Sequence, residues 1–135
     1  ILHILALAKV LGIPLDLEKF DGIQSSVPVV AKFKPSAQKN MNDYHRAGGV
    51  PALLSTVRPH LDTTAPLAMG GTLGEALDAC NKTADGDIIR PLSDPLHPAG
   101  CFSILRGNLA PEGAVVKKSG VEPGMFRHRG AGFGV

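Results

Sequence analysis

Apolar residues occupy almost every face of the first eleven positions, ILHILALAKVL, where His3 and Lys9 are the only polar side chains. A helix that is apolar all round must be buried all round. The run therefore predicts a core helix that ends at Gly12, with Pro14 just beyond as a stop signal. No Ser, Thr, Asp or Asn precedes Ile1 as a cap, which suggests a chain cut inside a buried helix. Eleven residues are too few to span a bilayer. With no basic leader before it and no small-residue cleavage site after it, the run does not have the form of a signal peptide. His3 reads as a core histidine bonded to a carbonyl, with a catalytic role as the alternative.

Further along, Asp16 predicts an N-cap, and Leu17, Phe20 and Ile23 follow at helical spacing, giving a helix over roughly 17–25. VPVVAKF is short, β-branched and flanked by breakers, so it reads as a strand or extended segment leaving through a turn at Lys34-Pro35-Ser36. Asn40 or Asn42 can cap a short helix through Arg46, which Gly48-Gly49 ends. Pro51 suits the first turn of a helix reaching about Val57, closed by Pro59. Thr72 and Glu75 stand as a capping box, and Leu73, Ala76, Leu77 and Cys80 would form the apolar face behind it.

The pattern changes after Gly86. IIRPLSDPLHPAG is punctuated by proline and cannot be helical. FSILRGN and GAVVKKSG then predict antiparallel strands, Phe102–Arg106 and Ala114–Lys118, joined through Asn108–Gly113 with a turn at Pro111-Glu112-Gly113. Helices first and strands later predict two units, 1–86 and 87–135. No internal repeat or heptad is visible.

The chain has 135 residues, enough for one ordinary domain, and its 14 Lys and Arg against 12 Asp and Glu give a net charge of +2. The charges are scattered. The densest basic stretch, Lys117, Lys118, Arg127 and Arg129, has only Phe126 interleaved, which argues against a nucleic-acid partner. With 4% aromatic residues and no Trp, the core must be built from Leu, Ile, Val and Ala. Two cysteines, Cys80 and Cys101, are too few for a disulfide framework and favour a reducing compartment. The sequon Asn81-Lys82-Thr83 carries no weight without secretion.

Candidate chemistry is sparse. His45 lies near Asp43, but residues two apart on a helix do not face each other. Cys80, His97 and Cys101 are the one soft-metal set, too openly spaced for structural zinc and lacking a fourth ligand. Both cysteines read more simply as small buried hydrophobes. Ser36 lacks the flanking glycines of a nucleophile elbow. MGGTLG sets glycines before a helix N-terminus, which could hold an anion or simply form a tight turn into the capping box.

Three separated blocks carry a specific resemblance: DYHRAGGVPALL at 43–54; GTLGEAL at 71–77 with IIRPLSDPLHPAG at 88–100; and ILRGNLAPEGAVVKKSGV at 104–121. In this order and spacing the chain resembles the middle of the dihydroxy-acid and sugar-acid dehydratase family. RGNLAPEGAVVK is the most specific part, and ILHILALAKVLGIPL fits a buried helix of that family.

The resemblance implies an α/β parent in which the helical end of one domain is followed by the first strands of a β-rich, barrel-like C-terminal domain. It implies a hydro-lyase, in the cytoplasm and homodimeric, that removes water from a 2,3-dihydroxy acid to leave a 2-oxo acid in branched-chain amino-acid biosynthesis. It further implies an iron–sulfur cluster and magnesium as cofactors of the parent, with neither nucleic acid nor membrane as a partner. The alternatives are a sugar-acid dehydratase of the same family and a non-catalytic interaction module.

The family's three cluster cysteines, its magnesium ligands and its catalytic serine lie in motifs that this chain does not contain. No catalytic, cofactor-binding or metal-ligating residue is therefore assigned here, and no cofactor is expected on the piece alone. The chain departs from the family pattern at Ala37, where the family has glycine, and in the closing AGFGV.

Overall fold

The computed structural model describes residues 2–35 and 37–130. Helix α1 spans Leu2–Val10 and closes as expected. The N–H of Ile13 donates to Ala8 O at 2.8 Å and that of Gly12 to Lys9 O at 3.2 Å, with Gly12 at φ +68°. These two bonds make a Schellman stop, which left-handed glycine permits.

Burial of α1 differs from the expectation. Ala8 is buried and Leu5 half-buried, whereas Ile4, Leu7, Val10 and Leu11 are exposed, Val10 to 83%. His3 is exposed as well, not a core histidine. The reason is position: α1 lies at an edge of the molecule, and among the described residues no element covers its outer faces.

Helix α2, Leu17–Ser25, starts where Asp16 accepts the Lys19 N–H at 2.7 Å. The segment after it is extended. Val29 pairs with His97, and Arg90 N donates to Val30 O at 2.8 Å. Helix α3, Met41–Arg46, is capped by Asn40, whose side chain takes the Asn42 and Asp43 amides while Asp43 returns to the Asn40 N–H. Helix α4, Gly49–Thr56, leads into a 3₁₀ turn at Arg58–His60. Helix α5, Leu73–Cys80, begins with the expected box of Thr72 and Glu75. Its buried face centres on Gly74 and Leu77, so Ala76 turns outward, contrary to the sequence reading. Gly74 sets that orientation, because a Cβ there would sit 3.1 Å from Thr63 O.

The core gathers Val30, Tyr44, Ala52, Val57 and Ile89, with Phe33, Leu53, Ile88 and Leu92 packed around it. Phe33 and Tyr44 meet with ring centroids 4.8 Å apart. The Pro-punctuated stretch is thus non-helical, as its sequence dictates, yet built into the core: Ile89 is 0% exposed. Asp85 holds it there by accepting the amides of Ile88 at 3.0 Å and Ile89 at 2.8 Å.

Strands β1, Phe102–Gly107, and β2, Ala110–Lys117, form an antiparallel ribbon with Ile104 opposite Val115. The turn falls at Asn108-Leu109, not at Pro111-Glu112-Gly113. Between the pairs Leu105–Ala114 and Gly107–Ala110, β1 has one residue and β2 has three, so 111–113 form a bulge inside β2. Gly113 sits there at φ +101°, a conformation that glycine adopts without strain. Helices followed by this ribbon fit the α/β expectation. Among the described residues the ribbon and two isolated bridges are the whole of the β structure, and no barrel is formed.

Candidate functional site

The fold does not bring the sequence candidates together. His45 is exposed, and Asp43 beside it is committed to the Asn40 N–H at 2.8 Å. Cys80 ends α5, Cys101 precedes β1, and both are half-buried free thiols. The exposed His97 turns its Nδ1 to the backbone of Ala99. Among the described residues, no three His, Cys, Asp or Glu side chains gather where one metal ion could bind them. Ser36 lies outside the described residues.

The glycines before α5 resolve in favour of the turn. An anion there would need free amides at the start of the helix. Those amides already have partners: Leu73 N donates to Ala65 O at 2.9 Å and Gly74 N to Thr63 O at 2.8 Å. Glu75 N donates to Thr72 Oγ1 at 3.3 Å, and Thr72 N to Glu75 Oε2 at 2.8 Å. No helix-end donor is left to bind phosphate or carboxylate.

An open cleft of about 630 Å³ lies between α1, α2 and the ribbon. His3 and Leu5 line it from α1, Leu17 from α2, and Phe102 and Gly113 to Val115 from the ribbon. Its walls are apolar apart from His3, so it can receive an apolar group but offers no acid–base pair.

Sequence reasoning missed the contact that builds this cleft. The Gln24 side chain accepts the Phe102 N–H at 3.4 Å and donates to Phe102 O at 3.2 Å. Glu18 pairs with Arg106, which also donates to Pro111 O at 3.3 Å. Gln24 and Phe102 are 78 positions apart, so no local pattern could have signalled the pair.

Surface ion pairs lower two carboxylates. A hydrogen bond from Lys39 holds Asp87 below the usual carboxylate range, and one from Arg58 does the same for Asp78. The Thr64 hydroxyl and amide lower Asp62. None of the three carboxylates lines the cleft.

The fold is that of an α/β segment in which a helical part passes into an antiparallel ribbon. Two family models match it in tandem: the dihydroxy-acid/6-phosphogluconate dehydratase N-terminal domain over residues 1–76, and the C-terminal domain of the same family over residues 87–133. The chain belongs to the dihydroxy-acid/6-phosphogluconate dehydratase family. It is 43% identical to a dihydroxy-acid dehydratase of Anaeromyxobacter sp. (strain K) over 136 residues, covering 97% of this chain and 24% of that protein. It is 39% identical to the dihydroxy-acid dehydratase of Methanothermobacter thermautotrophicus, covering 96% of this chain and 24% of that protein. The Methanospirillum hungatei enzyme of the same name is 35% identical, with 96% and 23% covered. The chain thus spans about a quarter of the length of the curated relatives it matches.

Proposed function

We propose that this chain is the part of a dihydroxy-acid dehydratase where the C-terminal part of the N-terminal domain, 1–86, passes through a connector into the first strands of a β-rich, barrel-like C-terminal domain, 87–135. The observation that carries the reading is the tandem match of the two family models, with one ending at residue 76 and the other starting at 87. The whole enzyme removes water from a 2,3-dihydroxy acid to leave a 2-oxo acid in branched-chain amino-acid biosynthesis. It works in the cytoplasm as a homodimer, with a small dihydroxy acid as its partner and no nucleic acid or membrane involved. Among the described residues no helix is long and apolar enough to cross a membrane.

The family implies an iron–sulfur cluster and magnesium. The residues described here do not fit either group: the two thiols lie on separate elements, and no three potential ligands gather among the described residues. No step of the reaction is assigned to them. What this chain contributes is the seating of the ribbon on the helical part, through Gln24, Glu18 and Arg106.

A chimera tests the reading. This chain would replace the matching segment of the Methanothermobacter enzyme, and 2-oxo acid formation would be followed under anaerobic conditions. Turnover of a branched 2,3-dihydroxy acid is expected. Turnover of 6-phosphogluconate alone would favour the sugar-acid alternative. A folded, cluster-loaded chimera inactive on both substrates would contradict the proposal and favour a non-catalytic module.

A further inference from the structure

The core and the ribbon are packed separately. Every member of the core cluster lies between Val27 and Leu92, and neither α1, α2 nor the ribbon contributes to it. The chain is last pinned to that core at His97, where Val29 N donates to His97 O and Leu96 N to Val29 O, each at 2.8 Å. Pro98, Ala99 and Gly100 follow, and then the ribbon. Beyond the ribbon, residues 122–130 are exposed.

What seats the ribbon is α2. Lys118 N donates to Cys101 O at 2.8 Å, continuing the ladder between the strands. The N–H and C=O of Phe102 therefore face outward, where the Gln24 amide meets both, donor to acceptor, as a neighbouring strand would. Gly100 allows this close approach: a Cβ there would lie 1.8 Å from Gln24 Oε1 and 2.3 Å from Gln24 O. The Glu18–Arg106 pair is exposed on both sides and adds little.

We propose that the β1–β2 ribbon is a flap, hinged at Pro98–Gly100 and latched onto α2 by the side-chain amide of Gln24, and that its release opens the cleft without disturbing the core. The latch consists of two half-buried side-chain bonds, each amounting to about fivefold in an opening equilibrium. Core opening requires much more, because it exposes Ala52 and Ile89, both 0% accessible. Sub-global opening of this kind is read directly by native-state amide exchange.

The test is amide exchange on the full 135-residue chain, comparing ribbon amides 103–117 with those of Ala52 and Val57. Gln24→Leu should speed ribbon exchange about tenfold or more and leave the core amides within about twofold. Gln24→Glu, which keeps an acceptor for the Phe102 N–H, should fall between. Gly100→Ala should match or exceed Gln24→Leu. Equal acceleration of ribbon and core, or none in the ribbon, would overturn the proposal. The unsubstituted chain gives an independent reading should the variants fail to fold. Low urea should scarcely change ribbon exchange while accelerating that of the core, and equal urea slopes would overturn the latch.

Discussion

Thr72, Asn40 and Asp16 each do what their side chain and the residue three positions on dictate. A short oxygen-bearing side chain before a helix takes up its unpaired amides, and this chemistry is local enough to read from sequence. Thr72→Ala should lower stability by about 1 kcal/mol, measured as the urea midpoint at unchanged slope. Asp62, Asp78 and Asp87 set an acid limit. Each is held below its ordinary range by a hydrogen-bonded partner, so its contribution is complete above the unfolded carboxylate value of about 3.9 and is lost as pH falls through the lower folded value. The urea midpoint should therefore drop as pH falls below about 4, and Asp78→Asn should reduce that drop. His3 was not legible at this scale. Its apolar neighbours predict burial, but burial depends on what packs against the helix.

At the scale of elements, the five helices follow from caps, stops and apolar spacing. The misplaced turn in the ribbon has a physical cause: Pro, Glu and Gly at 111–113 suit a turn and a bulge equally well. The choice is made by pairing, since Leu105 lies opposite Ala114 and Leu17 packs at Gly113. The prolines of the stretch 88–100 exclude helix, yet Ile88-Ile89 supply apolar surface that the core takes up. Ile89→Ala should cost about 2–5 kcal/mol in chemical denaturation, as for a buried core residue. A cost under about 0.5 kcal/mol, usual for exposed positions, would show the connector to be a mere linker.

For the whole molecule, Ile4, Leu7, Val10 and Leu11 form an exposed apolar row along α1 and its C-terminal end. Contiguous apolar faces of this kind drive association. Sedimentation should show self-association that weakens in the double variant Leu7→Glu, Val10→Lys, and a strictly monomeric chain at high concentration would contradict this. The family was legible in the sequence because RGNLAPEGAVVK and its companion blocks survive as words in order. A reaction centre was not, and the fold assembles none from His45, Cys80, His97 or Cys101.

The most direct test of the account is anaerobic iron–sulfur reconstitution of the 135-residue chain, followed by iron counting and visible absorption. A chain that belongs to a dehydratase but contributes the domain junction and not the ligands should retain no stoichiometric iron after desalting and should release no 2-oxo acid from a dihydroxy acid. One cluster bound per chain, with its absorption lost on replacing Cys80 or Cys101, would contradict the account.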